Sequence, residues 1–165
     1  MPIYTQYLTT LANPGWNNGT PINTSSLNSV KWSLNWDDIF RMDNYKYKHC
    51  RVRIKLNTQS FTSDTTDWEV YQGYLTCNLQ GYGGYSPYGG ALLGMVEPTH
   101  PSSGSSGSNG KHCIIVDTTE QPGVDVIPPK GNQEFIINFN KMDLSKQFIT
   151  TIYDYQCILY FELYD

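Results

Sequence analysis

Residues 29–57, SVKWSLNWDDIFRMDNYKYKHCRVRIKLN, hold two runs in which apolar and polar side chains alternate strictly. Val30, Trp32, Leu34 and Trp36 interleave with Ser29, Lys31, Ser33 and Asn35, and Cys50, Val52, Ile54 and Leu56 interleave with Arg51, Arg53, Lys55 and Asn57. A strand sends successive side chains to opposite faces, so a period of two predicts two half-buried strands, each with one wet face. Neither run fits a helical period. Antiparallel sheet with one solvated face accommodates both. Between them, Asp37 to Phe40 predicts a helical turn in which Asp37 caps free amides and Ile39 and Phe40 fold back onto the core.

The rest of the chain repeats this pattern in shorter pieces. Strands are expected near 29–36, 48–59, 68–79, 91–96, 111–117, 123–128, 132–140 and 155–164. The last, YQCILYFELY, is apolar on both faces and predicts a central strand or one covered from outside the sandwich. Thirteen Tyr, six Phe and four Trp favour sheet, while fourteen Gly and nine Pro punctuate short elements. At 165 residues the chain fits one domain with a real core. The expected fold is all-β, an eight-stranded antiparallel sandwich of single jelly-roll type with long loops.

Three stretches fall outside the strand pattern. Residues 1–28, rich in Thr, Asn, Pro and Gly with scattered apolar side chains, predict an extended N-terminal arm. Residues 80–90, QGYGGYSPYGG, space Tyr82, Tyr85 and Tyr88 three apart among Gly and Pro, a loop that displays aromatic rings. Those rings either fold down over the end of the sandwich or form a contact surface. Residues 102–110, SSGSSGSNG, predict a flexible or neighbour-held loop. The N-terminus has neither the basic start nor the apolar run of a secretion signal, so the sequons at Asn18 and Asn23 carry little weight.

Charge is unevenly placed. Lys31, Arg41, Lys46, Lys48, Arg51, Arg53 and Lys55 lie within residues 31–55 against only Asp37, Asp38 and Asp43, although the whole chain carries a net charge of −4. This predicts a basic surface on an acidic body, either a solubilising wet face or a dock for an acidic neighbour or nucleic acid.

Motifs for chemistry are absent from the sequence. His49, His100 and His112 are the only histidines, and the two that precede cysteines share a strand with them and point to opposite faces. Cys50, Cys77, Cys113 and Cys157 sit inside apolar runs at spacings that match no metal site and read as reduced core residues, with a disulfide framework as the alternative that their even number allows. No nucleophile elbow, phosphate loop or cysteine-protease signature occurs. The expectation is a protein without catalytic residues, metal or cofactor.

At KWSLNWDDIF followed by YKYKHCRVRIKL, the chain resembles the single jelly-roll minor capsid and penton proteins of large icosahedral double-stranded DNA viruses. The likeness covers a Trp-bearing strand, a D-x-I-F turn and a Cys- and Arg-bearing strand. It implies a non-enzymatic virion component that contacts the major capsid protein, copies of itself or other minor proteins, with no small-molecule substrate. Contact with nucleic acid or an inner membrane is left open. Candidate assembly contacts are Tyr82, Tyr85, Tyr88, Arg51, Arg53, Lys55, Tyr160 and Tyr164. The alternative is a lectin-like jelly roll in which Tyr82, Tyr85, Tyr88 and Trp16 stack on sugars.

Overall fold

Residues 1–9, 20–23, 29–61, 73–82, 90–98, 111–141 and 151–165 are described by the computed structural model. They form ten strands: β1 (Ile3–Thr9), β2 (Thr20–Asn23), β3 (Ser29–Asn35), β4 (His49–Phe61), β5 (Gly73–Cys77), β6 (Ala91–Pro98), β7 (Lys111–Asp117), β8 (Val124–Val126), β9 (Asn132–Lys141) and β10 (Thr151–Tyr164). One antiparallel sheet runs β1-β10-β4-β7, with β8 beside β4; the other runs β2-β3-β9-β5-β6. The two sheets touch edge to edge where Glu97 and Pro98 of β6 pair with Ile115 and Ile114 of β7.

Apart from the flanking β2 and β8, the chain changes sheet at every connection except β5 to β6. This alternation wraps two four-stranded sheets around each other as a jelly roll, an all-β antiparallel sandwich. Each of the eight expected strands has a counterpart among the described residues; the third, expected at 68–79, is seen as Gly73–Cys77, residues 62–72 lying outside them.

The N-terminal arm is a correction. Ile3–Thr9 is not a free extension but the edge strand of the β1-β10-β4-β7 sheet, paired with β10 from Ile3↔Glu162 to Thr9↔Gln156. Its two faces are both mixed, Tyr4, Gln6 and Leu8 inward and Ile3, Thr5 and Tyr7 outward, which hides it from a search for apolar periods. Gln6 faces the core and is buried, while Ile3 and Tyr7 face solvent. Strand β2 also comes from the stretch read as arm.

Between the sheets, Trp32, Leu34, Phe135, Ile137, Phe139, Leu159, Phe161 and Leu163 pack as one buried cluster with Trp36 and Phe40. The alternation read from residues 29–36 and 50–56 is the burial pattern observed, with the apolar member of each pair inside. As the central position of β10 between β1 and β4 requires, its odd-numbered residues from 155 to 163 are buried, and its second face is half-covered.

The turn after β3 is α1 (Trp36–Ile39), followed by a single 3-10 turn at Asp43–Tyr45. Its cap is Asn35 and not Asp37. The Asn35 side chain accepts from the Asp38 amide at 3.4 Å and donates to the Asp38 carboxylate at 2.7 Å, a reciprocal cap at the start of the helix. Phe40 is buried and Ile39 packs against the core, as expected.

The helix ends in a Schellman motif, with the Met42 amide bonded to Asp37 O at 2.9 Å and the Arg41 amide to Asp38 O at 3.2 Å. The left-handed position after the cap, where glycine is favoured, is held by Arg41 at φ 50°. Arg41→Gly is expected to stabilise the fold by about 0.5–1 kcal/mol, since the Cβ strain of a left-handed residue exceeds the extra entropy glycine loses. Urea denaturation checks this, and an unchanged or lowered midpoint would refute it.

Freed from capping, the Asp37 carboxylate ties this corner to the β8–β9 connection. It accepts from the Gly131 amide and Asn44 Nδ2, both at 2.9 Å, and from the Tyr45 hydroxyl at 3.1 Å, while Asn44 Nδ2 also donates to Pro129 O at 2.8 Å. The Gly131 amide, then Asn44, holds the Asp37 carboxyl below the usual carboxylate range. A depressed folded pKa contributes stability that is complete above the unfolded value and is lost as pH falls through the folded one. The melting temperature is therefore expected to drop below about pH 4, and less steeply in Asp37→Asn. Circular dichroism melts across a pH series read this, and matching acid limbs in the two proteins would clear Asp37 of the effect.

Candidate interaction surface

The outer face of the β1-β10-β4-β7 sheet carries most of the predicted contact residues, because alternation along β4 sends His49, Arg51, Arg53 and Lys55 outward together. Register sets their neighbours: Tyr164 lies opposite His49, Glu162 opposite Arg51, Tyr160 opposite Arg53 and Ile158 opposite Lys55. On the other side of β4, Asp125 faces Arg51 and Asp117 faces Lys55.

The cations are consequently paired. Arg51 reaches Asp125 at 3.3 Å and Glu162 at 3.6 Å, Arg53 reaches Glu162 at 3.5 Å, and Lys55 reaches Asp117 at 3.5 Å. Arg53 also donates to the carbonyls of Gln121 at 2.9 Å and Pro122 at 3.4 Å, clamping the turn between β7 and β8 onto the sheet. Three cations meeting three carboxylates leave this face locally neutral. The basic surface expected from residues 31–55 is thus much reduced: within that segment Lys31 is also paired with Glu134 at 3.7 Å and Lys46 with Asp43 at 2.6 Å. Exposed pairs of this kind are individually weak, so their main effect is on local charge and on positioning.

Next to the arginines is an aromatic cluster. The Tyr82 ring lies 4.7 Å from His49, His49 stacks on Tyr164 at 5.1 Å, and the Arg51 guanidinium sits 4.9 Å over the Tyr164 ring. Tyr82 is 48% exposed, yet its hydroxyl donates to Lys48 O at 2.6 Å and its amide to Asp125 O at 3.1 Å. The Tyr164 hydroxyl donates to Asp125 Oδ1 at 2.6 Å, and burial followed by this bond raises its pKa. Tyr82 is therefore a folded-down ring with one open side. Tyr160 is half-buried, while Tyr85, Tyr88 and Trp16 lie outside the described residues.

Three cysteines are accounted for: Cys50, Cys77 and Cys157 are free and buried. Burial pushes the thiols of Cys50 and Cys77 up to about 12 and that of Cys157 higher still, so none supplies a thiolate near neutral pH. The Cys113 side chain lies outside the described residues. Among the described residues no three His, Cys, Asp or Glu side chains gather at metal-binding distance, and no helix is long and apolar enough to cross a membrane.

Sequence reasoning missed the exposed apolar side chains. Ile3 is 69% and Tyr7 49% exposed on the β1 edge; Leu92, Met95 and Ile115 are 44%, 53% and 47% exposed where β6 and β7 meet. The last three rim a groove of about 640 Å³ between β6 and residues 115–124. ALLGMV and the central CIIV of the β7 run are apolar at every position but Gly94, so they contain no signal for which member faces out.

No family model and no curated protein matches the chain. Among solved structures it is similar to a chain titled Desmodium yellow mottle tymovirus, at 10% identity and a TM-score of 0.29, over 99% of this chain and 87% of that one.

Proposed function

We propose that the chain is a structural subunit of an icosahedral viral shell, a minor capsid or penton protein of the kind found in large double-stranded DNA viruses. It works in the virion through contacts with other capsid subunits and carries out no catalysis. The observation that supports this reading best is the placement of exposed apolar side chains on two opposite lateral edges of the sandwich. Ile3 and Tyr7 lie on the β1 side, and Leu92, Met95 and Ile115 on the β6–β7 side. A building block of a closed shell needs neighbours on more than one side, and apolar side chains at the middle of each contact supply the association energy. The locally neutral ion-pair face between them allows close approach without charge repulsion.

The test is mass spectrometry of purified particles from the source, with immunogold labelling to place the chain on the shell. Its presence at a fixed stoichiometry is expected. Absence from particles, together with selective binding on a glycan array that Tyr82→Ala abolishes, would replace the shell reading with the lectin one.

A further inference from the structure

We infer that β1 is a twofold interface: two copies of the chain pair antiparallel through this strand, with the dyad at Thr5. The inference rests on the shell reading and specifies one of its contacts. The first observation is the direction of the β1 backbone groups. The Leu163 amide donates to Pro2 O at 3.0 Å, so Leu163 and every second residue of β10 before it point toward β1. Pairing then uses Tyr4, Gln6 and Leu8 of β1, and the N–H and C=O groups of Ile3, Thr5 and Tyr7 point away from the sheet. The position of Ile54 agrees: its amide and carbonyl bond to Thr118 on the β7 side, which leaves Arg51, Arg53 and Lys55 to pair with β10.

The second observation is what the strand lacks. Natural edge strands are guarded by charge, proline or a bulge, and IYTQYLT has none of these in its continuous register with β10. The guard is present elsewhere, since β2 at the far edge of the other sheet carries Pro21 and an irregular register.

The third is self-complementarity, which selects a second copy as the occupant. With Thr5 on the dyad, Thr5 faces Thr5 of the other copy, and Ile3 faces Tyr7 in both directions. On the outer face this makes one Thr–Thr pair and two pairs of an aromatic with a β-branched residue, the cross-strand combinations that stabilise antiparallel sheet. The same register makes Ile3, Thr5 and Tyr7 the hydrogen-bonded positions, as their outward groups require. Tyr7 O already accepts from Gln6 Nε2 at 3.1 Å and has a second lone pair for the partner strand. The outcome is one continuous sheet, β4-β10-β1-β1-β10-β4, with Tyr160 and Arg53 in the row that runs through the dyad.

The experiment is sedimentation equilibrium of the whole chain from about 1 μM to about 1 mM, with Thr5→Lys and Thr5→Glu. The wild type is expected to dimerise, each variant to remain monomeric because like charges meet at the dyad, and an equimolar mixture of the two to dimerise again. Rescue on mixing is the signature of an isologous contact and is not produced by general unfolding. Should either variant fold poorly, amide exchange on the wild type decides: the Ile3, Thr5 and Tyr7 amides are expected to exchange at least about tenfold more slowly in the concentrated sample. A wild type monomeric throughout, variants that dimerise as it does, or exchange at these amides independent of concentration would each overturn the inference. The shell reading is judged separately by the presence of the chain in particles, which either result leaves measurable.

Discussion

Trp36→Ala is expected to cost about 3–5 kcal/mol, a large part of the stability of a domain this size. Trp36 is fully buried at the start of α1, stacked 6.0 Å from Phe40 and edge-on to Phe135 at 5.9 Å and Phe161 at 5.7 Å. These rings come from three separate parts of the chain, so the indole joins the β3–β4 corner to β9 and β10. Removing it leaves a cavity that backbone tied by Asp37 and Asn44 cannot collapse to fill. Trp36→Phe is expected to cost much less, about 1 kcal/mol, because the indole N–H is buried with no partner among the described residues and its loss removes an unmet donor. Urea denaturation of the two variants separates the contributions; equal losses would show that the polar edge of the ring, and not its bulk, holds the corner.

Gly123→Ala is expected to cost about 2–4 kcal/mol through backbone strain and collision together. Gly123 has φ +84°, and a Cβ there would lie 2.8 Å from Arg51 Cγ, 3.0 Å from Arg53 Cγ and 3.0 Å from Val52 O. The first two belong to flexible side chains that can shift, but the last is backbone of a central strand. Any movement of Gly123 also pulls on the turn that Arg53 clamps through Gln121 and Pro122. Gly131→Ala is the control, since φ there is +64° and nothing lies within 4 Å of the added carbon. It is expected to show the strain alone, about 1 kcal/mol. Thermal melts of both variants give the difference, and equal losses would mean that conformation rather than contact makes Gly123 necessary.

The residues at these two sites were unequally legible. Trp36 closes an alternating run, so its burial follows from the period. Gly123 lies in QPGVDVIPP, where glycine reads as an ordinary loop residue; its constraint is a contact with a strand about seventy positions earlier. The same division runs through the candidate surface. That Arg51, Arg53 and Lys55 share a face is a consequence of spacing alone. That they meet Glu162, Asp125 and Asp117 is a consequence of which strands flank β4, and it neutralises that part of the expected basic surface.

Strand positions, the inward face of β3, β4 and β9, the all-β class and the jelly-roll expectation were determined by the chain itself, because alternation of side chains is a local property of extended backbone. Strand β1, the pairing of the cations, the folded-down Tyr82 and the exposed Leu92, Met95 and Ile115 were decided only in the tertiary structure. Each depends on which backbone edge meets which across long connections, and on which sheet a wholly apolar run joins. Sequence spacing carries no information about either, since hydrogen-bonding groups of the main chain are the same in every residue but proline.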